Sequence, residues 1–270
     1  MFISEKLIFL ELQKTGCTHI IEQLSKIIPG EIVGKHNRLP GKPERSDRYI
    51  IGSIRNPWDW YVSLWAFGCD NKGVLFRNVT RHRFLSGHKI REFPFRAIRS
   101  ILRDVKKPVD SWKQTYRDSQ DPELFRRWLT MILDPGRRYD PGEGYGYSSI
   151  STFAGFYTYR FLYLCSETKK SLFDGSIDNY DDLAAFYEKN NVLDFTIRNE
   201  SLEDDLIKVL KMCNIHPTAE QIKELESAKR TNISSRKRDF SFYYDSDTAA
   251  LVAEKEKFII EQFGYQKPAL

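Results

Sequence analysis

The sequence predicts an α/β fold in which a central parallel sheet is flanked by helices in three layers and carries a largely helical insertion. Short apolar runs alternate with helical patterns in residues 1–67, and this alternation favours a parallel sheet. The chain has 270 residues, 41% of them hydrophobic, which is enough to bury a full core. We therefore expect one domain over residues 1–270, with residues 68–150 as the insertion.

The first elements are a strand, a turn and a helix. LIFLEL has the continuous apolar character of a buried strand, and HIIEQLSKII then places Ile20, Ile21 and Leu24 on one helical face. EIVG and RYIIGSI are predicted as the second and third strands. Asn56 is suited to cap the next helix, with Pro57 at its first position.

The insertion is basic and aromatic and has no clear strand pattern. PELFRRWLTMIL predicts a helix that begins at Pro122, and the turn-rich DPGRRYDPGEGYGYSS predicts an exposed loop. Insertions of this kind commonly cover a site and set its specificity. Further along the chain, VLDFTIRNE is a predicted strand. The predicted helices are FAGFYTYRFLYLC, SLEDDLIKVLKMC, TAEQIKELESAK and SDTAALVAEKEKFIIEQF.

Charge and cysteine usage narrow the class of protein. The net charge of +5 suits an anionic ligand without singling out nucleic acid. Four cysteines lie far apart with no CxxC pair, which argues against a zinc knuckle or a disulfide framework. No apolar stretch approaches the ~20 residues of a membrane span, and the N-terminal run is too short for a signal peptide. We expect a cytoplasmic protein.

The turn QKTGCT has the composition of an anion-binding loop. Backbone N–H groups of residues 15–18 lie at a helix N-terminus, and the hydroxyls of Thr15 and Thr18 are further donors. Gly16 allows close approach of a ligand, and Lys14 adds a charge. The nucleotide loop G-x-x-x-x-G-K-[ST] places its lysine after the second glycine, whereas Lys14 precedes Gly16. This order argues against a magnesium-dependent kinase. An ordinary βα turn without a ligand is the alternative interpretation.

A second candidate element is RNPWDWYVS. Arg55 follows a predicted buried strand, at the end where open α/β sheets bind ligands. Ser63 lies eight residues further along, near enough for a guanidinium and a hydroxyl to hold one phosphate. Taken alone, Arg55 is equally compatible with an ordinary charge at a strand end.

Together the two elements resemble the PAPS-dependent sulfotransferase family, in its bacterial and carbohydrate branch. QKTGCT is similar to the phosphosulfate loop of that family, and RNPWDWYVS matches its pattern R-x-P-x5-S. FTIRNESLEDDL and TNISSRKRDFSFYYD are similar to its C-terminal strand and nucleotide-closing loop. The resemblance covers residues 7–63 and about 194–265. It implies a P-loop-like three-layer fold.

The resemblance also implies a donor, 3′-phosphoadenosine 5′-phosphosulfate (PAPS), the product 3′,5′-bisphosphoadenosine (PAP), and no metal. The sulfuryl group would pass in line to an acceptor hydroxyl, while Lys14 stabilises charge on the oxygen between sulfur and phosphorus. Arg55 and Ser63 would bind the 3′-phosphate. The implied donor-binding residues are Lys14, Thr15, Gly16, Cys17, Thr18, His19, Arg55, Ser63, Arg230, Asn232, Ser235 and Arg236.

His36 is the candidate catalytic base, because the resemblance places a histidine in the loop GKHNRLP and neutral imidazole accepts a proton near pH 7. A partly exposed loop histidine is the alternative. His82 and His88 lie in the insertion, where they could touch the acceptor. Glu200 is expected to be structural, paired with a nearby arginine.

Aromatic residues at helical spacing favour packing roles. These are Trp58, Trp60, Trp65, Phe240, Phe242, Tyr243 and Tyr244.

Two other classes of protein stay open. One is a P-loop kinase-like enzyme, and the other is a non-catalytic polyanion binder, which the basic stretch of residues 77–107 favours. For a sulfotransferase we expect a saccharide hydroxyl as acceptor, and no nucleic-acid partner.

Overall fold

The sheet at the centre of the protein is mixed. The computed structural model describes residues 1–39, 48–82, 101–228 and 236–269. Its strands are β1 (Phe2–Ile3), β2 (Leu7–Phe9), β3 (Glu31–Ile32), β4 (Tyr49–Ile54) and β5 (Phe195–Arg198), in the order β3-β1-β2-β4-β5. β2, β4 and β5 are parallel, as predicted, whereas β1 is antiparallel to β2 and β3. The expectation of an all-parallel sheet is therefore wrong at this edge.

The antiparallel edge follows from a short connection. Ser4 accepts a hydrogen bond at Oγ from the backbone N–H of Leu7 at 3.0 Å, and the N–H of Ser4 donates to the carbonyl of Leu7 at 2.9 Å. So tight a turn can join only antiparallel strands, because a parallel pair needs a long crossover. β1 has two residues, too few for a periodicity in the sequence to reveal.

Helices cover both faces of the sheet. They are α1 (Cys17–Ile27), α2 (Pro57–Cys69), α3 (Val74–Thr80), α4 (Val109–Gln114), α5 (Pro122–Leu133), α6 (Phe156–Cys165), α7 (Tyr180–Asn190), α8 (Leu202–Met212), α9 (Ala219–Ser227), α10 (Ser246–Lys255) and α11 (Lys257–Phe263). Phe9 and Ile51 pack against α1 and α8, whereas Ile8 and Ile50 belong to a larger cluster with α2, α5 and α6. Successive strand residues thus bury opposite faces.

The start of α2 confirms the predicted cap. Oδ1 of Asn56 accepts from the N–H groups of Trp58 at 3.0 Å and Asp59 at 3.4 Å, with Pro57 at the first helical position. β4 ends at Ile54, so this sharp strand-to-helix turn places Arg55 at the carboxyl edge of the sheet.

The turn-rich segment before α6 differs from the exposed loop that its composition predicts. Tyr145 and Ser148 are buried, and the Tyr145 hydroxyl donates to the carbonyl of Ala154 at 2.8 Å. The Tyr145 ring also lies edge-on to Phe156, with centroids 5.3 Å apart. Packing against α6 therefore overrides the local preference for exposure.

The helical tryptophans Trp58, Trp60 and Trp65 are fully buried, which confirms their predicted packing role. Tyr243 and Tyr244 are buried as well, whereas Phe242 is exposed. All four cysteines are free thiols. Within the described ranges, no helix combines the length and the apolar character that crossing a membrane requires.

Candidate functional site

A cavity of about 560 Å³ lies beside the turn after β2 and the turn after β4. Its size is typical of small-molecule sites, which span roughly 300–1,000 Å³. The predicted residues in its wall are Lys14, Gly16, Cys17, Thr18, His19, His36, Arg55, Ser63 and Arg236. Arg230, Asn232, Ser235 and His88 lie outside the described residues. Segments far apart in the sequence thus converge on one site.

The turn QKTGCT leads directly into α1. Gly16 is the N-cap residue at φ 85°, it has no side chain to cap the helix, and the first turn of α1 contains no acidic residue. The positive end of the helix dipole at the cavity is therefore not neutralised locally. A Cβ at Gly16 would lie 2.7 Å from Nδ2 of Asn199 and 2.8 Å from Cδ1 of Leu202. The positive φ therefore strains any residue other than glycine here, and a side chain would also require Asn199 and Leu202 to shift.

Thr15 corrects one expectation. Its side chain is fully buried, its hydroxyl donates to the carbonyl of Leu12 at 2.7 Å, and it lies 2.6 Å from Oγ of Ser53 on β4. The hydroxyl is thus committed to the protein interior and is not available for a phosphate. Its role is to fasten the turn to the sheet.

Arg55 joins the two predicted elements. Its Nη1 donates to Oγ of Ser63 at 3.1 Å and to the carbonyl of Lys14 at 3.2 Å. The spacing of eight residues therefore brings the guanidinium and the hydroxyl together, beside the turn that carries the lysine. Sequence spacing alone predicted the first contact, and the second required the fold.

Asp59 orients two arginines. Its Oδ2 lies 2.7 Å from Nε and 2.6 Å from Nη2 of Arg55, and its Oδ1 lies 2.5 Å from Nη2 of Arg236. These side chains are only 14–16% exposed, so screening by water is limited. Asp59 was not predicted from the sequence, although its i,i+4 spacing from Arg55 is a recognisable signal.

A stacked aromatic pair fixes the backbones of both turns. The rings of Trp60 and Tyr157 are parallel within 12°, with centroids 4.1 Å apart. Nε1 of Trp60 donates to the carbonyl of Gln13 at 2.7 Å, and the Tyr157 hydroxyl lies 2.9 Å from the backbone N and 3.1 Å from the carbonyl of Arg55. This pair, the Trp60–Tyr157 clamp, sets the separation of the two turns.

Lys14 is a partly buried cation beside other cations. Its Nζ lies 4.2 Å from the ring centroid of Phe67, and its backbone has a positive φ of 65°. Burial, and next the charge of Arg55, lower the pKa of Lys14 to about 8. An anion in the cavity would favour the charged form and raise this pKa.

His36 presents one defined nitrogen. Its Nδ1 lies 2.8 Å from the carbonyl oxygen of Glu11. A carbonyl only accepts, so Nδ1 carries the hydrogen in the neutral ring and Nε2 is the basic nitrogen. Burial lowers the pKa of His36 below its ordinary 6.5, which keeps the ring neutral at pH 7.

The other predicted polar residues have different surroundings. Nδ1 of His82 lies 2.8 Å from the carbonyl of Asp104, and His82 is not in the described cavity wall. His19 is buried in the wall, with Nε2 3.7 Å from Oε1 of Glu203. Oε1 of Glu200 accepts from the N–H of Asn56 at 2.6 Å, so this carboxylate supports the turn after β4.

Several cations in the wall were missed from the sequence. They are Lys35, Lys72, Arg77 and Arg160. Among the described residues of the wall none is an aspartate or glutamate, so the cavity favours an anionic ligand. Arg160 could have been recognised from the sequence, because it is the one charged residue in the helical segment FYTYRFLYLC.

In the part of the chain that the structure describes, no group of three or more His, Cys, Asp or Glu side chains is arranged to hold a metal ion. No protein-family model matches the chain, and comparisons with curated proteins and with solved structures find no match. A functional assignment therefore rests on the residues and geometry of the cavity.

Proposed function

We propose that the protein is a PAPS-dependent sulfotransferase that transfers a sulfuryl group to an acceptor hydroxyl, with saccharides as the favoured acceptor class. The observation that carries this proposal is the contact of Arg55 with both Ser63 and the backbone of Lys14. It joins the two elements on which the resemblance depends, in one cavity without acidic residues in its described wall.

The cavity offers two groups of cationic and polar residues, which suit a donor with a 5′-phosphosulfate and a 3′-phosphate. One is formed by Lys14 and the N-terminus of α1, and the other by Arg55, Ser63 and Arg236. Asp59 holds both arginines in place, which reduces the entropy lost when a phosphate binds. The residues present therefore fit this donor.

The donor supplies the sulfuryl group and leaves as PAP. Lys14 stabilises the negative charge that develops on the phosphate oxygen when its bond to sulfur breaks. Nε2 of His36 takes the proton of the acceptor hydroxyl as its oxygen bonds to sulfur. The remaining residues hold the reacting groups in line, which accounts for much of the rate in transfers of this kind.

Helices on both faces of the sheet and the β2-turn-α1 unit favour a P-loop-like three-layer arrangement within one domain of residues 1–270. α3 lies in the insertion of residues 68–150 and contributes Arg77 to the cavity wall, with Lys72 just before it. We assign this insertion to acceptor binding.

Calorimetry with PAP and 5′-AMP, both in EDTA, tests the donor site. PAP should bind at least about tenfold more tightly, since each charge-assisted hydrogen bond contributes about 1.5–3 kcal/mol. Arg55→Met and Ser63→Ala should each reduce that difference, whereas Arg137→Met, at a half-exposed arginine outside the described cavity wall, should leave it intact. Sulfate transfer from PAPS to a saccharide panel then identifies an acceptor.

Three results would contradict the proposal. Equal affinity for PAP and 5′-AMP would show that the cavity has no site for the 3′-phosphate. Binding of Mg-ATP but not PAP would favour a kinase, and salt-sensitive DNA binding without a response to PAP would favour a polyanion binder.

A further inference from the structure

Arg160 is a buried arginine in the cavity wall and is not among the residues assigned to the donor. It lies on α6 and its side chain is only 6% exposed. Nε and Nη2 donate to the two carboxylate oxygens of Glu143 at 3.0 and 2.6 Å. Its Cζ lies 4.2 Å from the ring centroid of Phe156 and 5.8 Å from that of Trp60. The guanidinium is therefore held rigidly against two rings.

The third nitrogen of this guanidinium lacks an acceptor. Nη1 of Arg160 is buried and has no hydrogen-bond partner among the described residues, and the same holds for Nη1 of Arg236. A buried hydrogen-bond donor without an acceptor destabilises the protein, and more so when it is charged. The 3′-phosphate of the donor accounts for Arg236. Arg160 is not among the residues assigned to the donor, so its unpaired Nη1 is available to a second anionic group.

Two pairs of cations in the cavity wall act on different groups. Those whose charge lowers the pKa of Lys14 are Arg55 and Arg236, which belong to the donor site. After burial, the cations that lower the pKa of His36 are Arg160 and Lys35. Arg160 and His36 line the same cavity, and Arg160 is close enough for its charge to lower the pKa of His36.

We propose that Arg160 binds an anionic group of the acceptor, a carboxylate or a sulfate, next to the hydroxyl that His36 deprotonates. This inference rests on the proposed function and makes it more specific, because it selects acidic over neutral saccharides. A planar guanidinium that is already fixed on one edge by Glu143 binds an oxyanion at little entropic cost. Lys35, which is exposed in the same wall, adds charge at the entrance.

The test measures binding of simple glycosides to the protein saturated with PAP. p-Nitrophenyl β-D-glucuronide and p-nitrophenyl β-D-glucoside 6-sulfate are compared with the neutral p-nitrophenyl β-D-glucoside by calorimetry. At least one acidic glycoside should bind about tenfold or more tightly than the neutral one, as expected for one charge-assisted contact. The stronger of the two identifies the anion as carboxylate or sulfate.

Variants separate recognition from structure. Arg160→Met should remove the preference for the acidic glycoside and leave the affinity for the neutral glycoside and for PAP unchanged, whereas Arg160→Lys should keep part of the preference. Lys35→Met, at an exposed position, should reduce the preference and provides a second variant if Arg160→Met does not fold.

Two outcomes would overturn the inference. One is equal binding of acidic and neutral glycosides by the wild-type protein, and the other is an Arg160→Met variant whose affinities for acidic and neutral glycosides fall equally. Failure of PAP to bind would instead overturn the proposed function, so the two are distinguishable.

Discussion

Lys14 shows how burial tunes a single residue of the site. Its pKa of about 8 lies below the ordinary 10.5 because burial and Arg55 disfavour the charged form. A bound anion favours the charged lysine and raises its pKa, so the protein should take up protons when PAP binds at pH 8–9. The affinity for PAP should therefore fall as the pH rises through 8. Calorimetry at pH 8.5 in two buffers of different ionisation enthalpy measures the uptake, which Lys14→Met should abolish.

The same substitution should lower kcat more than it lowers the affinity for PAPS, because the lysine acts on charge that develops during transfer. Lys113→Met, at an exposed lysine, is the control. An unchanged kcat in Lys14→Met would contradict the catalytic role.

His36 offers a matched pair of variants. Its φ of 56° is tolerated by asparagine, so His36→Asn should fold. The variant should lose about 10²–10⁴-fold in kcat/KM and the acidic limb of the pH profile, which in the wild type should lie below pH 6.5. His82→Asn removes another histidine whose Nδ1 is bonded to a backbone carbonyl. This variant should keep both the wild-type kcat/KM and the acidic limb of the pH profile. An acidic limb that survives in His36→Asn would exclude His36 as the base.

At the scale of elements, the Trp60–Tyr157 clamp connects α2 and α6 to the two binding turns. Tyr157→Phe removes only the hydroxyl that contacts the backbone of Arg55. It should weaken PAP binding about fivefold to tenfold, the effect of roughly 1 kcal/mol for a neutral hydrogen bond. Calorimetry measures the affinity for PAP, and urea unfolding measures the free energy of unfolding.

Tyr145→Phe is the control for this variant, since it removes another buried hydroxyl that donates to a backbone carbonyl, that of Ala154. Both variants should lose a similar amount of stability, and only Tyr157→Phe should lose affinity. Equal affinities in the two variants would show that the clamp is structural alone.

Two helices with strong local signals were predicted and α3, which depends on distant contacts, was not. α7 was also missed, although Asn179 caps it and its first turn contains Asp181 and Asp182. α2 and α5 carry their own caps, Asn56 and Asp121, followed by proline. α3 has seven residues and no such signal. Its C-terminal end is stabilised by buried Lys107, whose Nζ donates to the carbonyls of Asn78 at 2.7 Å and Arg81 at 2.5 Å. Short helices are marginal without tertiary contacts of this kind, so periodicity does not reveal them.

At the scale of the whole molecule, Glu256 links the C-terminal helices to the site. Its carboxylate accepts from the N–H groups of Tyr157 at 3.2 Å and Thr158 at 2.9 Å, and from the Thr158 hydroxyl at 2.6 Å. It thereby caps α6, whose own N-cap, Gly155, has no side chain to do so. Full burial raises the pKa of Glu256 to about 7.

This pKa makes stability depend on pH in a defined direction. Between pH 4.5 and 7 the folded state holds a proton at Glu256 that the unfolded state releases, so the contribution of Glu256 to stability is present below pH 4.5 and is lost as the pH rises to 7. The loss is on the order of 3 kcal/mol. Urea unfolding at pH 5 and pH 7.5 should therefore show a larger stability difference between wild type and Glu256→Gln at pH 5. A difference that is equal at both pH values would contradict this assignment.

The sequence by itself determined the strand-turn-helix units, the uncapped turn with Lys14 and Gly16, and the spacing of Arg55 and Ser63, because each depends on neighbours within a few residues. Tertiary structure alone decided that Thr15 turns its hydroxyl to the sheet, that Glu11 fixes the tautomer of His36, and that Asp59 reaches Arg236. Arg160 also entered the cavity only through packing of α6. Contacts of this second kind join residues that the chain holds far apart, so their geometry exists only once the sheet and its helices have formed.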